Sequence, residues 1–261
     1  MSRADQPLYQ KDLDQTRASR ERLKSNANLM FWYQELFQEL FDEIPGISQK
    51  RVLEIGSGAS PLKSFLPTVI TSDILQLEYL DIVFDCHNIA DTDVIQDRSL
   101  DVIVLTNVLH HLRNPLQFLR GAAKKLAPGG QIWMAEPYFS CLSYPLYKTL
   151  HHEPVNFNIQ RPLLEEIQGP LSTSNQAMPY MIFFSRLDWL EELADCYDLQ
   201  RTQYGFFTGL SYMVTGGISR TFLVPRGFYR ACFKLDRWLA RCWPKVFASF
   251  FSARLLVKEA Q

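Results

Sequence analysis

The sequence predicts an α/β protein with a doubly wound, mostly parallel sheet of seven strands and helices on both faces. Short apolar runs alternate with helical stretches from Arg51 to Ala135. That order builds a parallel sheet buried on both sides. The first run ends in the glycine turn Gly56-Ser57-Gly58, where the backbone can close on a ligand. Apolar residues make up 47% of the 261 positions and charged residues 21%, a balance that suits a packed core and excludes a disordered chain.

The elements follow in order. Residues 1–15 are polar and expected to be loose. From Thr16 to Ile44, Leu29, Trp32, Tyr33, Leu36, Phe37, Leu40 and Phe41 recur at helical spacing, and Pro45-Gly46 ends the segment. Residues 1–45 are therefore expected to be an N-terminal helical segment before a domain spanning 46–261. Strands are predicted at Arg51–Ile55, Thr68–Ser72, Leu80–Phe84, Leu100–Leu105 and Gln131–Ala135. A helix is predicted over Pro115–Leu126, and a turn at Pro128-Gly129-Gly130. Residues of about 138–185, rich in aromatics and proline, interrupt the alternation as an insertion. A helix at Arg186–Tyr197 and strands at Leu199–Phe207 and Ser252–Lys258 complete the sheet, with a second insertion of about 216–251.

The glycine turn places a nucleotide-like cofactor above the sheet. The dinucleotide pattern GxGxxG is not met, because Pro61 stands at its third glycine. Glu54, just before the turn, would repel a pyrophosphate and favour a cation. S-adenosylmethionine carries an ammonium and a sulfonium and no phosphate, so the charges favour it over NAD. Asp73 ends the second strand, where a carboxylate can accept both ribose hydroxyls. Asp85 ends the third strand, where it can accept from an adenine amino group while the Cys86 N–H donates to the ring.

Taken in register, Leu53-Glu-Ile-Gly-Ser-Gly58, Asp73, Phe84-Asp-Cys86, Leu100 to Leu112 with its His110-His111-Leu112 end, and Leu126-Ala-Pro-Gly-Gly130 resemble the class I S-adenosylmethionine-dependent methyltransferases. They are most similar to the small-molecule, type 11-like group. The resemblance covers about residues 50–137 and implies a Rossmann-like methyltransferase fold with S-adenosyl-L-methionine as cofactor. It implies that Glu54, Gly56, Ser57 and Gly58 surround the methionine part. Asp73 would hold the ribose, Asp85 and Cys86 the adenine, and Asn107 would face the methyl donor. The leucine-proline pair frequent after the family's adenine loop is replaced here by Ile89-Ala90.

Methyl transfer requires alignment of the acceptor and exclusion of water, and a hydroxyl or acidic carbon also needs a base. His110, His111 and His152 are the candidate bases, because histidine takes a proton near neutral pH. Trp32, Tyr33 and Tyr138 either wall an apolar acceptor pocket or pack the core. No metal site is expected: the cysteines are scattered, and the His151-His152-Glu153 run offers no third ligand. A net charge of −1 and the absence of an Asn/Asp-Pro-Pro-aromatic run make nucleic acid an unlikely acceptor.

Residues 220–254 are different in character, with eight Arg or Lys against Asp236 alone. Phe228, Ala231, Leu235, Trp238, Leu239, Cys242, Trp243 and Val246 follow one helical face there. Such a helix can lie in a membrane interface, close over an amphipathic substrate, or pack on the domain with a solvated basic face. The expected location is the cytoplasm, with contact at the inner face of a membrane through 220–251 as one outcome. The expected activity is methylation of a small or lipid-linked acceptor on oxygen. An NAD(P)-dependent oxidoreductase and a non-catalytic cofactor-binding adaptor are the alternatives.

Overall fold

One strand runs against all the others in a single seven-stranded sheet. The computed structural model describes residues 6–150, 153–165, 169, 173–218 and 220–258. Its strands are β1 (Val52–Ile55), β2 (Ile70–Asp73), β3 (Ile82–Val83), β4 (Leu100–Thr106), β5 (Leu126–Pro137), β6 (Gln203–Phe207) and β7 (Phe250–Leu256). They lie in the order β3-β2-β1-β4-β5-β7-β6. β1 to β5 pair in parallel, and β7 is antiparallel to both β5 and β6. The sheet is thus mostly parallel and doubly wound, as expected.

The helices are α1 (Gln6–Ser25), α2 (Ala27–Glu43), α3 (Leu62–Phe65), α4 (Pro115–Lys125), α5 (Ser143–Leu150), α6 (Ala177–Tyr180), α7 (Leu187–Glu191), α8 (Ser211–Val214), α9 (Arg226–Cys242) and α10 (Pro244–Phe247). The order of strands reverses at β1 and β4, so their carboxyl ends open the crevice where ligands bind in such sheets.

Two expectations at the N-terminus are corrected. Residues 6–15 are helical rather than loose, and the single helix expected from Thr16 to Ile44 is two. Asn26 takes an extended conformation, and its side chain accepts the N–H groups of Asn28 and Leu29. It therefore caps a new helix inside a continuous pattern. α1 buries polar Asp12, Thr16 and Ser19 beside a small apolar contact of Leu13 with Leu75 and Leu77. A helix packed partly through polar residues shows an interrupted apolar period. α2, by contrast, buries Leu29, Trp32, Leu36, Phe37 and Leu40 on the sheet face formed by Val52, Val102, Val104 and Trp133. Each such side chain contributes roughly 1.5–3 kcal/mol.

Other boundaries shift by a few residues. β3 is only two residues long, and β6 starts at Gln203 because Leu199–Arg201 closes a tight turn. The apolar face read along 226–246 is not the face that packs. α9 instead buries Tyr229, Phe233 and Ala240, with Phe233 against Phe31 and Phe207. Its Asp236 carboxylate accepts the N–H groups of Gly209 and Ser211 at 3.0 and 2.9 Å.

Candidate active site

The glycine turn is fixed by side chains that the strand leaves behind. Gly56 has φ +73°, a conformation that favours glycine, and a Cβ there would collide with Val108. A Cβ on Gly58 would stand 2.7 Å from Thr16 and 2.9 Å from the Asp73 carboxylate. Glu54 is 1% exposed; Ser57 and Ser60 donate to its carboxylate at 2.7 and 2.5 Å. Burial raises its pKa to about 7 against these two bonds. Ser57 also takes the Ser72 N–H at 3.1 Å and so ties the turn to β2. Asp73 accepts the N–H groups of Gly58 and Leu75, both at 3.0 Å, and burial raises it. α1 closes this side: Arg20 donates to the carbonyls of Gly58 and Ser60 and stacks 4.0 Å from the Tyr79 ring.

Asp85 stands at the mouth of the same edge. It caps the turn Cys86–Asn88 and pairs with His87 Nδ1 at 2.7 Å. That bond holds its carboxyl below the usual range. His87 Nε2 accepts the Arg113 N–H at 3.0 Å, so the remaining ring proton sits on the nitrogen facing Asp85. Burial pushes the Cys86 thiol up, which leaves it un-ionised and inert.

Past β4, Asn107 adopts φ 56°, a left-handed conformation that asparagine tolerates. Its N–H donates to the Ala135 carbonyl at 2.8 Å. Glu136, 0% exposed in β5, then organises the next three residues. One oxygen accepts the N–H groups of Val108 and Leu109 at 2.9 and 2.6 Å. The other lies 2.6 Å from His110 Nδ1. On the far side of the ring, His110 Nε2 meets Glu153 at 3.2 Å. Gln176 donates to that carboxylate at 2.9 Å. Burial opposes a charge on His110, but Glu136 and Glu153 together outweigh it and push its pKa up to about 10. His111 stacks 4.3 Å away, and its Nδ1 donates to the Thr173 carbonyl at 3.0 Å. Burial and the neighbouring His110 charge lower His111 to about 4, so it is neutral in the working range.

His110 and His111 sit on a tight 3-10 turn rather than a strand. Both rings therefore reach Glu153, and the three ligand atoms lie within 4.8 Å of one another, as do those of Asp85, Cys86 and His87. A divalent ion could span either set. Protonated His110 already satisfies the first without an ion, donating through Nδ1 to Glu136 and through Nε2 to Glu153.

Tyr33 reaches this region from α2. Its hydroxyl is raised by burial and by Tyr212, to which it hydrogen-bonds, and it feels the Glu54 charge. Tyr212 and Tyr147 in turn feel Glu153. Trp32 is wholly enclosed, donates to Thr208 at 2.9 Å, and stacks on Phe207, Tyr212 and Phe250. Its role is packing. Tyr138 is likewise 4% exposed among Tyr180, Phe184, Phe206 and Phe251. His152 lies outside the described residues, as does His151. Glu136 is the partner of His110 that sequence reasoning passed over. The available signal was a carboxylate inside the apolar run Trp133-Met-Ala-Glu-Pro137, a costly place for an unpartnered charge.

The strand order, the glycine turn and the carboxylates at the ends of β1, β2 and β3 define a nucleoside-binding α/β transferase fold. A methyltransferase-domain family model matches residues 27–180. The chain belongs to that methyltransferase family, and it is an enzyme that uses S-adenosylmethionine. Among solved structures it is similar to a SAM-dependent methyltransferase from Thermotoga maritima, at 14% identity and a TM-score of 0.54, over 93% of this chain and 98% of that one. It is also similar to a SAM-dependent methyltransferase from Archaeoglobus fulgidus, at 15% identity and a TM-score of 0.47, over 86% and 94%. No curated protein matches the sequence.

The residues present fit this cofactor. The Thr16 and Thr106 hydroxyls, on either side of the glycine turn, are buried without a partner among the described residues. A bound nucleoside would give them one. The Glu54 carboxylate suits a cationic amino-acid moiety.

Proposed function

We propose that the enzyme methylates a hydroxyl oxygen of a small or lipid-linked acceptor. In this reading His110 is the base, and Glu136 and Glu153 are its positioning residues. The carrying observation is the His110 imidazole held between the buried carboxylate of Glu136 and the half-buried carboxylate of Glu153, immediately past the end of β4. When bound, S-adenosylmethionine supplies a methyl carbon on a sulfonium. Glu136 fixes the ring tautomer by accepting from Nδ1, which leaves Nε2, facing Glu153 at 3.2 Å, to act as the base once it has lost its own proton. In that state Nε2 would take the acceptor's hydroxyl proton, and the bound cofactor would supply the methyl group to the oxygen. Glu153 stabilises the imidazolium that results. Tyr33 and Tyr212 would help to exclude water from the site. Asp73 would hold the ribose, Asp85 with the Cys86 N–H the adenine, and Asn107 the reacting end.

The test is transfer of labelled methyl from S-adenosylmethionine to hydroxyl-bearing isoprenoid-linked sugars and to their free sugars. Label recovered as an ether supports the reading. Label on nitrogen or carbon, at a rate matched by His110→Ala, sinks it.

A further inference from the structure

We propose that the outer face of α9 and α10 docks on an anionic lipid bilayer. α9 has two apolar faces. Tyr229, Phe233 and Ala240 are buried in the domain. Phe228, Leu235 and Trp238 face solvent, 65%, 58% and 53% exposed, and Trp243 and Val246 of the α10 turn extend the stripe at 50% and 42%. Just before the helix, Leu223 is 97% exposed. A soluble helix needs only one apolar face. A second that is contiguous and rich in aromatics marks an interaction surface.

The surrounding charge selects the partner. Arg226, Arg230, Lys234, Arg241 and Lys245 border the stripe and are exposed. Asp236 is the sole carboxylate between residues 220 and 258, and it is turned inward onto the amides of Gly209, Leu210 and Ser211. Glu35 and Glu39 of α2 pair with Arg237 and Arg241; beyond those pairs the outward face is cationic and apolar. Trp238 and Trp243 stand edge to face, 5.4 Å apart, an amphipathic pair suited to the headgroup level. A protein partner of the same patch would need a largely acidic surface around an apolar centre, whereas an anionic bilayer offers both everywhere. No described helix is long and apolar enough to cross a membrane, so the contact is an interfacial one. The docked helix is joined to the interior through Asp236 and the Gly209–Tyr212 turn.

This surface stands on exposure and charge, independently of the identity of the acceptor atom. The test is co-sedimentation of the full chain with phosphatidylcholine vesicles, with and without phosphatidylglycerol. It is paired with the emission of the exposed Trp238 and Trp243, since Trp32, Trp133 and Trp189 are buried. The expected result is binding only when phosphatidylglycerol is present, a blue shift on binding, and release by salt. Leu235→Glu with Trp238→Glu should weaken binding at least ~10-fold while leaving S-adenosylhomocysteine affinity unchanged; Phe228→Ser alone should weaken it less. Equal binding to both vesicle types, no binding to either, or a variant that binds like wild type would overturn the proposal. So would a concentration-independent dimer that the double variant converts to monomer.

Discussion

Glu136 holds His110 by one carboxylate oxygen and the N–H groups of Val108 and Leu109 by the other. A single buried acid thus sets both the shape of the turn after β4 and the tautomer of the ring it presents. His110→Ala should lower the methyl-transfer rate by ~10²–10⁴-fold, the usual worth of a general base. Glu136→Gln keeps one acceptor and loses the charge, so it should cost less. Cofactor affinity should hold in both variants. A rate within a few-fold of wild type for His110→Ala, in a folded protein, removes the base role.

The pH dependence has a definite sign. Burial lowers the proton affinity of His110, but Glu136 and Glu153 raise it further, above that of an ordinary histidine. At neutral pH the ring therefore carries a proton that it must shed before it can act. The value of kcat/KM should climb with pH and bend above the ordinary value of about 6.5. Glu153→Gln removes one of the raising charges and should move the bend to lower pH. His111, lowered to about 4, should add no bend in the neutral range. A profile flat across the alkaline side would contradict the assignment.

The sheet and the cofactor edge were legible because their signals are local. A strand must be apolar, a turn such as Gly56-Ser57-Gly58 must contain glycine, and a carboxylate such as Asp73 at a strand end sits where the backbone direction places it. The Glu136 partner of His110 was not legible, because it reaches the ring from an element distant in sequence. α1 escaped for another reason. Its buried side carries Asp12, Thr16 and Ser19 beside Leu13 and Leu23, and the polar residues interrupt the hydrophobic period. Along 226–246 the periodicity was visible, but its assignment to a packed or an open face depends on which rotation of the helix meets β6.

Asp73 is the acid on which cofactor affinity should depend most directly. Asp73→Ala should weaken S-adenosylhomocysteine binding by roughly 1–3 kcal/mol through lost charge-assisted hydrogen bonds. The variant also loses the acceptor of the Gly58 and Leu75 N–H groups, so a lower melting temperature should accompany it. Calorimetric titration of the folded variant decides, and unchanged affinity would remove the ribose role.

The histidine pair also makes a prediction about metals. His110, His111 and Glu153 have the spread of a cation site, yet the base mechanism needs Nε2 of His110 for a proton. Enzyme treated with a chelator and then cleared of it should keep its rate, and added zinc should inhibit by occupying the base. A rate lost with the chelator and restored by a divalent ion would turn both histidines into ligands.

Glu54 couples cofactor binding to pH. Burial raises its carboxyl from 4.5 to about 7 despite the Ser57 and Ser60 bonds. The sign for stability follows from that direction. In cofactor-free protein the group contributes stability that is full below its unfolded value and is lost as pH rises through about 7. The whole effect is at most roughly 3 kcal/mol. A cationic ligand favours the ionised form, so affinity for S-adenosylmethionine should rise with pH through the same range and level off above it. Binding below that range should take place with proton release, measurable as a dependence of the calorimetric heat on buffer ionisation. Glu54→Gln cannot ionise. It should flatten the pH dependence of both melting temperature and affinity, and bind the cofactor more weakly at the alkaline end. If the variant keeps the wild-type slope, the titration belongs to another group, and the Glu54 charge is not what selects a cation at the glycine turn.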